Sequence, residues 1–163
     1  MRNLILLRHA KSSWKDASLS DFDRPLSNRG KRDAPQMATR FAQKKIDVDL
    51  IISSSARRTA DTANIFTNIL FYKSNIVFVD KLYEASNKQI LEVINKIGEK
   101  YQNVLLVCHN PGITNLANYL SDYFIDNIPT TGIVGFSSDR NWKDIKENSC
   151  SFLFFDYPKM YLK

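Results

Sequence analysis

With 163 residues, two cysteines and two histidines, the chain is long enough to bury a core unaided, and too poor in both residue types for a disulfide framework or a standard zinc site. Hydrophobic residues make up 44% and charged residues 25%, with no apolar run near the roughly 20 residues of a membrane-spanning helix, which argues against both a spanning and a disordered protein. The net charge of +6 favours an anionic partner, but its Lys and Arg are dispersed, as on a solvated surface, and form no basic tail.

In chain order, Asn3 to Leu7 is a short apolar run closed by charge and predicts a buried strand. Arg8, His9 and Lys11 interrupt it too early for a signal peptide, so export is not expected and a reduced, cytoplasmic setting is. Lys11 to Asn28, with Asp21, Asp23, Pro25 and Ser27-Asn28, predicts a long loop over a site. Ala34, Met37, Ala38 and Phe41 recur at helical spacing, which places Pro35 in the first turn of a helix. Val48 to Ile52 predicts a second strand, and Ser53 to Ser55 lead into a helix bearing Ala60, Ala63, Phe66 and Leu70.

Asn75 to Val79 predicts a third strand, and Ser86 with Gln89 forms a capping-box pattern ahead of a helix carrying Ile90, Val93, Ile94 and Ile97. Val104 to Val107 is a fourth strand entering a helix near Pro111. Val134 to Phe136 and Phe152 to Phe155 read as edge strands forming a hairpin. Strands alternating with helices predict right-handed crossovers, and so an α/β fold. The expected architecture is one domain over residues 1–163, a three-layer α/β/α sandwich on a mostly parallel sheet of about six strands.

Parallel sheets bind ligands beyond the carboxyl ends of their strands. Here the four exits offer Arg8-His9, then Ser53 to Ser55 with Arg58 just inside the next helix, then Glu84, then His109. Singly, each has an ordinary structural explanation: a strand-ending charge, a helix-face arginine, a solvated carboxylate, a core histidine. Together, two guanidiniums and two imidazoles at one edge suit a phosphoryl group.

The strings Leu4 to Ala10 (LILLRHA), Ser53 to Ala63 (SSSARRTADTA) and Val107 to Pro111 (VCHNP) resemble those of the histidine phosphatase (phosphoglycerate mutase-like) superfamily. Ala10 replaces the Gly that commonly follows the histidine. That variant, with Asp23-Arg24-Pro25-Leu26-Ser27 and the short chain, resembles the SixA-like phosphohistidine phosphatases. The resemblance implies a phosphoglycerate mutase-like fold, His9 as nucleophile, Arg8, Arg58 and His109 as the phosphate pocket, and Glu84 as proton donor. It also implies a phosphorylated protein or small phosphorylated substrate as partner; the composition and the dispersed charge, Lys31, Arg32, Lys44 and Lys45 included, set the expectation of no metal, no cofactor, no nucleic acid and no membrane.

A neutral imidazole is available near neutral pH and can attack phosphorus to give a phosphohistidine that water hydrolyses. A phosphorylated imidazole is a good leaving group, so a protein phosphohistidine phosphatase can tolerate loss of Glu84 where a phosphomonoesterase cannot. Other chemistries fit less well. Counting six positions from Cys108 reaches Thr114 rather than the arginine of a cysteine-dependent phosphatase; Asp47 and Asp49 precede a strand instead of following one; and no Gly-rich phosphate loop is present. The competing class is a non-catalytic module that binds phosphoproteins through the same residues.

Overall fold

The computed structural model describes residues 1–161. Six strands form one sheet: β1 (Arg2–Arg8), β2 (Leu50–Ser54), β3 (Val77–Val79), β4 (Asn103–Cys108), β5 (Ile133–Ser138) and β6 (Ser151–Asp156), in the order β3-β2-β4-β1-β5-β6. Four helices accompany them: α1 (Asn28–Ala42), α2 (Arg57–Leu70), α3 (Asn87–Asn95) and α4 (Gly112–Leu120). β1, β2, β3 and β4 pair in parallel, while β5 runs antiparallel to both β1 and β6. The sheet is therefore mostly parallel, as expected.

β1 shows why its sequence is a continuous apolar run. Leu4 and Leu6 point into a cluster with Ile90 and Ile94 of α3 and Leu116 and Leu120 of α4, whereas Ile5 and Leu7 meet Met37 and Phe41 of α1 and Ala63 and Phe66 of α2. Alternate residues face opposite layers, so a strand covered on both sides has no polar face to display. The same division makes the three layers of the sandwich.

Several expected elements shift. β2 begins at Leu50 and takes in Ser53 and Ser54, both fully buried. Pro35 lies well inside the 15-residue α1 rather than in its first turn, because the helix starts earlier: the Ser27 hydroxyl accepts from the Gly30 amide at 3.1 Å and caps it. Proline leaves the Lys31 carbonyl without its usual helical donor, and the buried Met37, Ala38 and Phe41 anchor the following turns. Only β6 is an edge strand of the predicted hairpin. β5 sits between β1 and β6, and its burial on both faces reflects that interior place. The capping box at Ser86 and Gln89 forms with both hydrogen bonds present.

The loop between β1 and α1 folds back on itself. Ser12 bridges Leu26, and the Lys11 carbonyl accepts the Ser27 amide at 2.8 Å. Gly30 makes this possible, since a Cβ there would lie 2.2 Å from the Lys11 carbonyl oxygen.

Candidate active site

Sheet register assembles the centre of the site. Arg8 pairs with Cys108 across the parallel β1–β4 ladder, so the next residues, His9 and His109, emerge side by side from the two middle strands. Their rings lie 5.2 Å apart, centroid to centroid, and both residues are buried. Arg58 reaches the same place from the first turn of α2, and Arg8 from the end of β1. These four line a cavity of about 250 Å³, walled further by Lys11, Ser12, Trp14 and Arg24 of the β1–α1 loop and by Asn110 and Thr130. A larger cavity of about 610 Å³ opens at the other edge of the sheet, near Ala42, Asp49 and Tyr72, but holds no histidine and no arginine.

The backbone around His9 is fixed from three sides. Its amide donates to the Cys108 carbonyl at 3.2 Å, its carbonyl accepts from Thr131 at 3.0 Å, and the Ala10 amide donates to Thr62 Oγ1 at 2.9 Å. Thr62 Oγ1 in turn donates to the Arg58 carbonyl at 2.7 Å, joining the α2 turn that carries the arginine to the segment that carries the histidine.

His9 Nδ1 lies 2.7 Å from the Ala10 carbonyl oxygen. A carbonyl can only accept, so Nδ1 holds the proton and Nε2 keeps its lone pair. Burial, partly opposed by that hydrogen bond and reinforced by the charges of His109, Arg58 and Arg8, lowers the His9 pKa from 6.5 to about 3. The imidazole is neutral at physiological pH. His109 is lowered to about 4, first by burial and then by Arg58, with Asp21 opposing. Its Nε2 is 2.8 Å from Ser54 Oγ, while its Nδ1 is buried with no hydrogen-bond partner in the protein. An oxyanion in the cavity is a natural acceptor for that nitrogen.

Arg8 Nη1 donates to the Ile128 carbonyl at 2.9 Å; burial, and then the charge of Arg58, lower its pKa. Arg58 is tied to Asp21, which also receives Arg24 and Tyr83. Arg24 is buried, with its guanidinium 3.2 Å from the Trp14 ring centroid. The charge at the cavity is thus positive on one side and balanced on the other.

The structure brings Arg8, His9, Arg58 and His109 together and leaves Glu84 apart. Glu84 is exposed, adopts a left-handed backbone conformation with φ of 55°, and does not border the cavity. Its neighbour Tyr83 approaches instead, with its ring 5.6 Å from that of His109. Sequence reasoning left Asp21 and Tyr83 without a role and Ser54 undecided between cap and ligand. None of the three serines caps α2 in the structure: Ser54 serves His109, Ser55 donates to Asp80, and Ser53 donates to the Ser54 carbonyl.

A family model described as histidine phosphatase superfamily (branch 1) matches residues 4–89. The chain belongs to that superfamily, whose members are phosphatases acting on phosphorylated substrates. An uncharacterised chloroplastic protein of Arabidopsis thaliana is 37% identical over 129 residues, covering 74% of this chain; the chain spans only 59% of that protein's length. Among solved structures, the SixA protein of Agrobacterium tumefaciens, to which phosphohistidine phosphatase activity is attributed, is 28% identical with a TM-score of 0.83 over 96% of this chain and 98% of its own. The protein histidine phosphatase SixA bound to tungstate has the same fold at 19% identity, with a TM-score of 0.83 over 96% of this chain and 97% of that one. Among the described residues no helix is long and apolar enough to cross a membrane, and no group of three or more His, Cys, Asp or Glu side chains is placed to hold a metal ion.

Proposed function

We propose that this histidine phosphatase hydrolyses its substrate through a phosphohistidine on Nε2 of His9, and that the substrate is a phosphohistidine on another protein. The observation that carries the first part is the Nδ1–H to Ala10 hydrogen bond, which leaves a lone pair on the opposite nitrogen of a neutral ring. Nε2 forms a bond to phosphorus as the bond from phosphorus to the leaving nitrogen or oxygen breaks. Arg8, Arg58 and His109 Nδ1 receive the phosphoryl oxygens, where their charge and hydrogen bonds stabilise the transferring group. Water then attacks phosphorus, releasing orthophosphate and restoring the imidazole.

The leaving group decides the substrate. An alkoxide needs a proton from a nearby acid, whereas an imidazole with a conjugate-acid pKa of about 6.5 leaves readily. Among the described residues lining the cavity there is no carboxylic acid. Asp21, held at the rim by a hydrogen bond from Tyr83 and by Arg24 and Arg58, is depressed to about 2 and stays ionised. That supports a substrate needing little acid assistance. The free Cys108 and Cys150 suit a reducing compartment, in keeping with a cytoplasmic protein.

Rapid quenching into alkaline denaturant tests the nucleophile. Wild-type protein mixed with labelled phosphohistidine protein should retain acid-labile, base-stable label, and His9→Ala should retain none. A label persisting in His9→Ala would refute the assignment. Tight orthophosphate binding with no turnover of phosphohistidine or p-nitrophenyl phosphate would make the chain a binding module instead.

A further inference from the structure

Asp21 lies in the irregular loop between β1 and α1, and the side chains of Arg58, Arg24 and Tyr83 all converge on it. Arg58 Nη1 donates to its main-chain oxygen at 2.7 Å and Arg58 Nη2 to its Oδ2 at 3.0 Å. Arg24 Nη1 donates to its Oδ1 at 2.9 Å, and the Tyr83 hydroxyl to Oδ2 at 2.6 Å. Both terminal nitrogens of Arg58 therefore end on one residue, which fixes the roll and the reach of the guanidinium plane.

We propose that Asp21 is a positioning residue of the phosphate pocket, holding the Arg58 guanidinium in the orientation that receives a phosphoryl group, with Tyr83 and Arg24 holding the carboxylate in turn. The inference rests on the phosphatase reading above. Two other roles fit the geometry less well. A proton donor must carry a proton, and three donors converge on the ionised carboxylate. A plug competing with phosphate would use up Arg58, but a guanidinium has five N–H groups and Asp21 engages only two of them. Arg24 also offsets the negative charge that would otherwise repel the incoming anion. What Asp21 contributes is prepayment of ordering: a long arginine side chain loses its rotamer freedom in the folded protein rather than on binding.

The experiment is orthophosphate binding by calorimetry at fixed pH and salt, on the full chain, beside circular dichroism to confirm folding. Relative to wild type, Asp21→Asn should raise the phosphate dissociation constant about tenfold, the scale of one charge-assisted hydrogen bond, with Asp21→Glu recovering part of the loss. Tyr83→Phe, which deletes one hydroxyl, should raise it about threefold and tests the same link if Asp21→Asn does not fold. In an Arg58→Lys background, where two η nitrogens are no longer available, Asp21→Asn should change binding less than twofold, as expected for a residue acting through another. Unchanged or tighter binding by Asp21→Asn, or an undiminished effect in the Arg58→Lys background, overturns the proposal. Wild-type protein that neither binds orthophosphate nor turns over substrate overturns the phosphatase reading itself, and this inference with it.

Discussion

Lowering the pH from 7.5 to 5 in phosphate-free buffer should destabilise the protein through its two histidines. In the unfolded chain both titrate near 6.5; in the folded protein burial holds them near 3 and 4. Between those limits the unfolded state binds more protons, so stability rises with pH and is lost as pH falls below about 6.5. Each histidine then costs about 2 kcal/mol at pH 5, and the pair about 4 kcal/mol, a large share of the roughly 5 to 15 kcal/mol that stabilises an ordinary domain. Urea denaturation at a series of pH values measures this directly, because the midpoint moves while the slope with denaturant does not. The His9→Asn, His109→Asn double variant should lose most of the pH dependence, and each single variant about half of it. A wild-type stability that is flat from pH 7.5 to 5, or a double variant that falls as steeply, would show that the imidazoles are solvated and ordinary.

Three further outcomes bear on the site. Glu84→Gln, an exposed side chain outside the cavity, should leave hydrolysis of both a phosphohistidine protein and an alkyl phosphate within about twofold; a loss of about tenfold or more confined to the alkyl phosphate, the range of general acid catalysis, would show that an acid reaches the leaving group and remove the argument for a protein substrate. Ser54→Ala should lower kcat/KM by about tenfold through lost orientation of His109, and shift the imidazole nitrogen resonances of that ring in NMR spectra. Gly112→Ala would set a Cβ 2.1 Å from the Ala85 carbonyl oxygen. The start of α4 must then retreat, at a cost of about 1 to 3 kcal/mol and a lowered Tm in thermal unfolding.

The residues legible from sequence share one property: each follows a strand that could be recognised by its own apolar run. His9 and His109 could be placed together because strand exits in a parallel sheet lie at one edge, and Arg58 because it opens the helix after such an exit. Asp21 has no such signal. It sits in an irregular loop, and its partners Arg58 and Tyr83 lie 37 and 62 residues away, so only the folded chain reveals that they meet. Glu84 followed the same strand-end logic and fell outside the cavity, because the chain after β3 takes a short 3-10 turn and then a left-handed step that presents Tyr83 instead. The position of β5 was hidden for a related reason. Its apolar run resembles that of an edge strand when the partner on its far side, β1, is remote in sequence. Pro35 misled through propensity, a local preference that tertiary packing along α1 outweighs.

The ladder between β1 and β4 has one more consequence. The 5.2 Å between the two imidazoles is close to the spacing of about 4.8 Å between neighbouring strands, so the distance between them is a dimension of the sheet rather than a loop setting. Separating the histidines means breaking backbone hydrogen bonds between β1 and β4 at the middle of the sheet, where exchange with solvent requires opening of the core. The two imidazoles are therefore anchored by the sheet itself, while much of the cavity wall, Lys11, Ser12, Trp14 and Arg24, comes from the irregular loop between β1 and α1.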